Sequence, residues 1–253
     1  MKKVLLLFAL IPLLASGGQL VNTGSHRKLF THAGATACGT SVTGVLADYW
    51  AGSNSSSPVP TWSDSSTNAN TLSATGSPTW ANNTFGTGLA GVTGSGSGQY
   101  YSESALIPAA SFANLSMYVV FKYNATGAYF TSNHNCSTGV NCSFTLQING
   151  SNHLELDKQN VIALCTSATT LSTGTTYEAY WDYNGSTCHI YLNGTLDTTN
   201  TITQAFATGI DRFMTGFDST PFPFNGSIYE AIFSSSTSYQ SGAHTCWTAL
   251  GLP

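Results

Sequence analysis

The chain has 253 residues, of which only 7% are charged, and seven Lys and Arg against eleven Asp and Glu leave a net charge of −4. This balance argues against nucleic-acid binding, because neutralising phosphates requires clustered basic residues. Aromatic residues make up 12% of the chain, which favours a packed core over disorder, and the length suits one large β-domain.

The N-terminus predicts a secretory signal peptide over residues 1–17. Lys2 and Lys3 precede an apolar run at residues 4–14, and small residues follow. The run is short for a bilayer-spanning helix, so we expect cleavage and export, with no membrane insertion afterwards. An uncleaved membrane anchor is the alternative. Residues 18–44 are expected to form a linker and the lead-in to the first strand.

Residues 45–253 show the period-two alternation that is typical of β-strands. Two Asn-Gly pairs, Asn149-Gly150 and Asn184-Gly185, predict hairpin turns between alternating segments. Only residues 243–250 suggest a short helix. Many short strands separated by turn signals indicate an all-β sandwich. The clearest strands are predicted at residues 116–123, 144–148, 153–156, 177–183, 188–192 and 228–233.

Six cysteines in an exported chain predict disulfides, with about fifteen possible connectivities. The expected strand layout favours the pairs Cys38–Cys246, Cys136–Cys142 and Cys165–Cys188. The first pair would join the two ends of the domain, the second would close a short loop, and the third would link neighbouring strands. Zinc binding near Cys136 and Cys142 is the alternative for that loop, and an oxidising compartment disfavours it.

Several short motifs follow one another along residues 45–250. They are WSD at 62–64, GQYY at 98–101, SMYVVFKY at 116–123, GTTY at 174–177, YLNG at 191–194 and FNGSIYE at 224–230. In this order they resemble the laminin-G-like modules of the concanavalin A-like lectin and glucanase superfamily. The resemblance implies a jelly-roll sandwich of two antiparallel sheets. It also implies a non-catalytic module for carbohydrate or protein binding, although one fold hosts many functions.

The same resemblance implies calcium on the rim loops, held by Asp and Asn side chains and by backbone carbonyls. The candidate ligands are Asp64, with Asn68 or Asn70, and Asp218 in another loop. Because Ca²⁺ takes about six to eight oxygen ligands, two carboxylates would make a weak site. The alternative for Asp64 is that it caps a turn through the nearby backbone.

Candidate catalytic carboxylates are few. Glu155 and Asp157 have part of the spacing of a jelly-roll glucanase motif, but Asn160 stands where a third acid is expected. An exposed polar strand edge is the simpler interpretation of this stretch. Glu178 and Asp182 share one face of a strand about 13 Å apart, which is too far for a retaining pair.

Aromatic side chains supply candidates for a sugar-binding platform without indicating a face. Trp181 alternates with core positions and is predicted to be structural, and core roles are also favoured for Trp62 and Trp80. The sequence favours a secreted, non-catalytic module that recognises a glycan or an extracellular partner at the cell surface. The alternatives are a structural or adhesive surface protein that acts by assembly and, with weaker support, a jelly-roll glycanase.

Overall fold

The computed structural model describes residues 37–86, 88–103, 114–134, 144–158, 162–204, 206, 210–215 and 224–253. These residues belong to one compact unit, His32–Pro253. The strands are β1 (Val45–Trp50), β2 (Thr61–Trp62), β3 (Leu72–Thr75), β4 (Thr79–Ala81), β5 (Gly91–Ser95), β6 (Tyr100–Glu103), β7 (Leu115–Tyr123), β8 (Ala128–His134), β9 (Phe144–Ile148), β10 (His153–Lys158), β11 (Ile162–Thr170), β12 (Thr176–Tyr183), β13 (Thr187–Leu192), β14 (Thr195–Thr201), β15 (Ile210–Phe213) and β16 (Asn225–Ser234). The helix α1 spans Ser241–Ala249, and short 3₁₀ helices span Cys38–Ser41 and Ala51–Ser53.

Within the described residues the strands form two eight-stranded antiparallel sheets. The first sheet has the order β14-β13-β12-β7-β16-β5-β4, and β1 pairs with β16 beside β5. The second sheet has the order β11-β10-β9-β8-β15-β6-β3-β2. The prediction of an all-β sandwich of two antiparallel sheets is therefore confirmed.

The Asn149-Gly150 and Asn184-Gly185 pairs turn the chain as the sequence predicts. In the β12–β13 hairpin, Asn184 Oδ1 accepts hydrogen bonds from the backbone N–H groups of Ser186 and Thr187, and Gly185 has a φ of 86°. Such a positive φ is readily adopted by glycine because it lacks a Cβ. In the β9–β10 hairpin, Asn149 Oδ1 accepts from the N–H groups of Ser151 and His153.

The main core lies between the inner faces of the two sheets. Trp181 from the first sheet and Trp62 from the second are both buried within it, as predicted from the sequence. Phe121 packs edge-to-face against Phe130 at 4.6 Å between ring centres, which joins the sheets. Burying such large rings supplies much of the stabilisation, and truncating one to Ala typically costs about 3–5 kcal/mol.

Two disulfides join distant parts of this fold. Cys38 pairs with Cys246, which ties the first 3₁₀ helix to α1, and Cys165 pairs with Cys188, which ties β11 of the second sheet to β13 of the first. Both are pairs that the expected strand layout favoured. The third expected pair, Cys136–Cys142, lies outside the described residues.

The outer face of the first sheet is also buried. A second apolar cluster there includes Tyr118 and Tyr180 from the sheet and Trp247 from α1. Because α1 and the first 3₁₀ helix cover this face, β7, β12 and β16 are buried on both sides. No helix in the described part of the chain is long and apolar enough to cross a bilayer.

Candidate functional site

The outer face of the second sheet carries a polar cluster. In β10 the buried Leu154 and Leu156 alternate with Glu155 and Asp157, which are both partly exposed. Because successive side chains of a strand point to opposite faces, this alternation places the two carboxylates on one surface. We call this surface the polar face and define it by Gln147, Asn149, Glu155, Asp157 and Thr166.

Gln147 joins the two carboxylates of the polar face. Its Nε2 donates to Glu155 Oε1 at 3.0 Å and to Asp157 Oδ2 at 2.8 Å. Glu155 Oε2 also accepts from Asn149 Nδ2 at 2.9 Å and from Thr166 Oγ1 at 3.1 Å. Strands β9 and β11 flank β10, so this stretch is a partly exposed polar face of an interior strand and does not lie at an edge of the sheet. The cluster is preorganised by three neighbouring strands.

Asp157 has unused hydrogen-bonding capacity. Burial and the neighbouring Glu155 raise the pKa of Asp157 to about 7, while the hydrogen bond from Gln147 and the nearby Thr145 hydroxyl oppose the rise. Asp157 Oδ1 and Thr145 Oγ1 are buried, and neither has a partner of normal geometry among the described residues. A carboxyl group that is protonated near neutral pH can both donate to and accept from a hydroxyl-bearing ligand.

A cation–aromatic pair lies farther along the second sheet. Arg212 Cζ is 4.9 Å from the centre of the Tyr100 ring, and the two residues belong to the paired strands β15 and β6. In the sheet order β15 is three strands from β10, which corresponds to about 14 Å at the usual spacing between strands. The second sheet therefore carries polar groups well beyond the carboxylate cluster.

The outward carboxylates of the first sheet are covered. Glu178 and Asp182 on β12 are each only 1% exposed. Glu178 Oε2 lies 2.5 Å from His244 Nδ1 on α1, and Asp182 Oδ1 lies 2.8 Å from His189 Nδ1 on β13. Burial raises the pKa of both carboxyl groups, and the histidines oppose the increase. Each carboxylate therefore has its own partner, and the two do not form a pair.

A bulge in β16 brings a further carboxyl group to the outer side of the first sheet. The register of β16 against β7 shifts between Ile228 and Glu230. A bulge of this kind lets two consecutive side chains, Tyr229 and Glu230, face the same way. Glu230 is fully buried and accepts hydrogen bonds from the Cys38 N–H and from Trp247 Nε1, each at 2.5 Å. It thereby joins both ends of the domain to the sheet.

Asp48 on β1 lies beside Glu230. Burial raises the pKa of Asp48 to about 6, and burial together with the nearby Asp48 raises the pKa of Glu230 well above its usual value. Asp48 is 3% exposed, and its Oδ1 has no hydrogen-bond partner within the described ranges. The two buried carboxyl groups therefore retain protons at a pH at which exposed carboxyls have lost them.

The predicted calcium ligand Asp64 organises its own loop. Its Oδ1 accepts from the N–H groups of Asp48 and Ser66, and its Oδ2 accepts from the Asn70 N–H and the Ser66 hydroxyl. These hydrogen bonds match the alternative given above for Asp64, in which its carboxylate caps a turn through the nearby backbone. The Asn70 side chain donates to a carbonyl of β1. In the described part of the chain, no three His, Cys, Asp or Glu residues are arranged to hold a metal ion. Asp218 lies outside it, so calcium stays a prediction.

Sequence analysis missed several residues of these sites. Gln147 gave no signal beyond its outward position in an alternating strand, and the Arg212–Tyr100 pair joins two strands that are distant in the chain. The Asp48–Glu230 pair is equally non-local, and pairing β1 with β16 brings it together. An acidic residue inside an otherwise apolar strand, such as Glu230, is the one local signal that could have identified it.

Comparison with protein-family models and with curated protein sequences finds no match. Among solved structures, the chain is similar to domain 4 of AbnA, a GH43 extracellular arabinanase from Geobacillus stearothermophilus, in complex with arabinotriose. The TM-score is 0.63 at 16% identity, over 80% of this chain and 97% of that domain. At this identity, the similarity between the chain and that domain shows a common fold alone.

Two larger proteins contain a similar region. Trypanosoma rangeli sialidase, in complex with the inhibitor DANA, matches with a TM-score of 0.55 at 10% identity, over 81% of this chain and 32% of the sialidase chain. A botulinum neurotoxin type C structure, concerned with cell entry through two ganglioside molecules, matches with a TM-score of 0.53 at 15% identity, over 78% and 51%. The chain thus spans a third to a half of these two proteins. At such low identity the likeness shows a common β-sandwich.

Proposed function

We propose that the chain is a secreted, non-catalytic, laminin-G-like module that binds a glycan through the polar face. The main support is the Glu155–Gln147–Asp157 network, in which a single amide orders two carboxyl groups on an outer surface. Binding sites of this kind combine a few convergent polar groups on a rigid scaffold. The two disulfides are compatible with an oxidising, extracellular environment.

The chemistry of the polar face favours neutral glycans. Glu155 and Asp157 can accept hydrogen bonds from sugar hydroxyls, and protonated Asp157 can donate one. An anionic sugar would meet like charge at Glu155, which disfavours binding. AbnA domain 4 was solved with arabinotriose, a neutral oligosaccharide, and this makes arabinotriose a reasonable first probe.

The direct test is a glycan array with the full, oxidised chain, run with calcium and again with EDTA. We expect binding to neutral oligosaccharides and weaker binding to their sialylated counterparts. Loss of binding in EDTA would show that calcium takes part and would direct attention to Asp64 and Asp218. If the chain binds no glycan in either buffer, the glycan proposal is contradicted, and a protein partner or assembly is favoured.

Substitutions locate the binding surface. The double variant Glu155→Gln and Asp157→Asn keeps the size of both side chains but removes their charge, and we expect it to weaken binding at least tenfold, equivalent to about 1.4 kcal/mol. Asp197→Asn is the matched control. Its carboxylate lies on β14 at an edge of the first sheet and binds the β11 backbone instead. Equal losses of glycan binding in the two variants would argue against the polar face as the binding surface.

A glycanase is the second candidate because one nitrogen holds the two carboxylates of the polar face together and the pKa of Asp157 is raised to about 7. A raised pKa is the property of a general acid. The third acid of the glucanase pattern is replaced by Asn160, which lies outside the described residues. Glycan turnover that is lost in the Glu155→Gln and Asp157→Asn variant would favour catalysis over binding alone.

A further inference from the structure

A cleft lies on the outer side of the first sheet, which is the side of the sandwich opposite to the polar face. It has a volume of about 240 Å³ and is lined by Trp50, Gly52, Trp80, Asn82, Tyr229 and the segment 88–90. Typical pockets for drug-sized ligands measure about 300–1,000 Å³, so this cleft suits a smaller ligand with a single ring. We call it the indole cleft.

Two polar atoms of the indole cleft lack partners. Tyr229 is 1% exposed, yet its hydroxyl makes no hydrogen bond within the described residues, and the same holds for the buried Trp50 Nε1. The Trp50 side chain lies near the Tyr229 hydroxyl and opposes the rise that burial causes in the pKa of Tyr229. Neither atom meets hydrogen-bond geometry with the other or with another described residue. Because a buried donor without a partner costs about 1–3 kcal/mol, such atoms call for an explanation.

The surrounding structure holds the indole cleft in shape. The bulge in β16 turns Tyr229 outward beside Glu230, and the Tyr229 ring packs edge-to-face on Phe85 at 6.1 Å between ring centres. Trp80 is fixed by a hydrogen bond of 2.9 Å from its Nε1 to the Ala51 carbonyl. Any side chain at Gly52 would collide with the Trp50 indole. The cleft is therefore preformed, which lowers the entropic cost of binding.

Hydrogen bonds within the adjoining loop order the rim of the indole cleft. The Gly88 N–H donates to Asn83 Oδ1 at 2.7 Å, and the Thr84 hydroxyl donates to the Ala81 carbonyl at 2.9 Å. Gly88 has a φ of 83°, a conformation that favours glycine. Asn82, which lines the cleft, accepts a hydrogen bond from the Asn83 N–H through its Oδ1 at 3.0 Å.

The lining selects the chemistry of the ligand. Among the described residues that line the cleft none is charged, so an ion of either sign would lose hydration without gaining a partner there. A purely apolar ring would leave the Tyr229 hydroxyl and Trp50 Nε1 unsatisfied. A neutral sugar matches both properties, because its C–H face packs on an indole while its hydroxyls accept from N–H and O–H donors.

We propose that the indole cleft binds one neutral sugar ring, with Tyr229 Oη and Trp50 Nε1 as hydrogen-bond donors. This site is separate from the polar face and does not depend on it. It would give the chain two glycan contacts on opposite sheets.

The test follows the indole N–H signals of the five tryptophans by NMR in the ¹⁵N-labelled full chain. Trp50→Phe assigns the Trp50 signal by its disappearance. Glucose, galactose and arabinose are the neutral probes, and glucosamine and sialic acid are the charged ones. We expect at least one neutral sugar at millimolar concentration to shift the Trp50 signal more than either charged sugar does. No shift with any neutral sugar, or a larger shift with a charged one, would overturn the proposal.

Tyr229→Phe is the decisive variant because it removes only the hydroxyl. Since that hydroxyl has no partner within the described residues, we expect the melting temperature to stay the same or to rise, while sugar affinity falls at least tenfold. An unchanged affinity, or a marked loss of stability, would refute the assigned role. Tyr100→Phe on the second sheet is the matched control and should leave the Trp50 shift intact. The Glu155→Gln and Asp157→Asn variant should also leave it intact, which separates this test from that of the polar face.

Discussion

Both sheets carry acidic residues on their outer faces, but the two sets of carboxyl groups differ in what covers them. On the first sheet, Glu178, Asp182 and Glu230 are buried, and each carboxylate hydrogen-bonds a histidine, an indole or a backbone N–H. On the second sheet, Glu155 and Asp157 remain partly exposed, and Gln147 orders them. Similar strand patterns therefore yield a structural face and a candidate binding face.

The difference shows that an acidic residue on an outward strand position does not by itself indicate function. Buried carboxyls must be paired or hydrogen-bonded because desolvation is costly, and such groups therefore tie elements together. Partly exposed carboxyls that are held in place by neighbours retain the capacity to bind a ligand. The following predictions test this division; the largest expected effect on stability comes first and the smallest comes last.

The largest loss is expected for Glu230→Ala. This change leaves the Cys38 N–H and Trp247 Nε1 buried without an acceptor, and each unsatisfied donor costs about 1–3 kcal/mol. We expect the free energy of unfolding in urea to fall by about 3–5 kcal/mol. A loss comparable to that of Glu155→Ala on the polar face would contradict a structural role for Glu230.

His244→Ala should have an intermediate effect. It removes the partner of Glu178 on β12 and loosens α1 from the first sheet. The histidine is 30% exposed, so solvent reduces the loss, and we expect about 1–3 kcal/mol in thermal or urea unfolding. His153→Ala is the control. The His153 ring hydrogen-bonds the Ser167 carbonyl on the second sheet, and its removal should lower the free energy of unfolding less than His244→Ala does.

The Asp48–Glu230 pair predicts that stability depends on pH. The folded pKa of Asp48 is raised to about 6 from an ordinary value of 3.8, so the folded state binds more protons than the unfolded state between these values. The contribution of this group to stability is therefore fully present below pH 4 and is lost as pH rises through about 6, at a cost of about 2–3 kcal/mol. Unfolding curves of the wild type and Asp48→Asn should diverge over this range. Parallel curves would exclude the effect.

The smallest change in stability is expected for Glu155→Gln. The side chain is partly exposed, and an amide keeps one acceptor oxygen for Gln147, Asn149 or Thr166. We expect the free energy of unfolding to change by less than about 1 kcal/mol while glycan binding weakens. If Glu155→Gln unfolds as readily as Glu230→Ala does, the two faces do not differ as proposed.

Local sequence patterns determined a large part of this fold. Alternation of apolar and polar residues, together with Asn149-Gly150 and Asn184-Gly185, predicted the β9–β10 and β12–β13 hairpins because side-chain direction and turn geometry are local properties of the chain. The disulfide pairs Cys38–Cys246 and Cys165–Cys188 were also predicted, although Cys165 and Cys188 lie on different sheets and not on neighbouring strands. Glu155 and Asp157 stood out in the sequence as candidate catalytic carboxylates, whereas their place on an interior strand beside Gln147 came only from the structure.

Tertiary structure alone decided which faces became buried and which polar groups met. The sequence of β12 does not reveal that α1 covers its outer side, because the contact joins residues far apart in the chain. The same holds for Asp48 with Glu230 and for Trp50 with Tyr229, which come together only when β1 pairs with β16 and a bulge turns Tyr229 outward. Local alternation assigns a side chain to one of two faces, whereas packing determines what that face contacts.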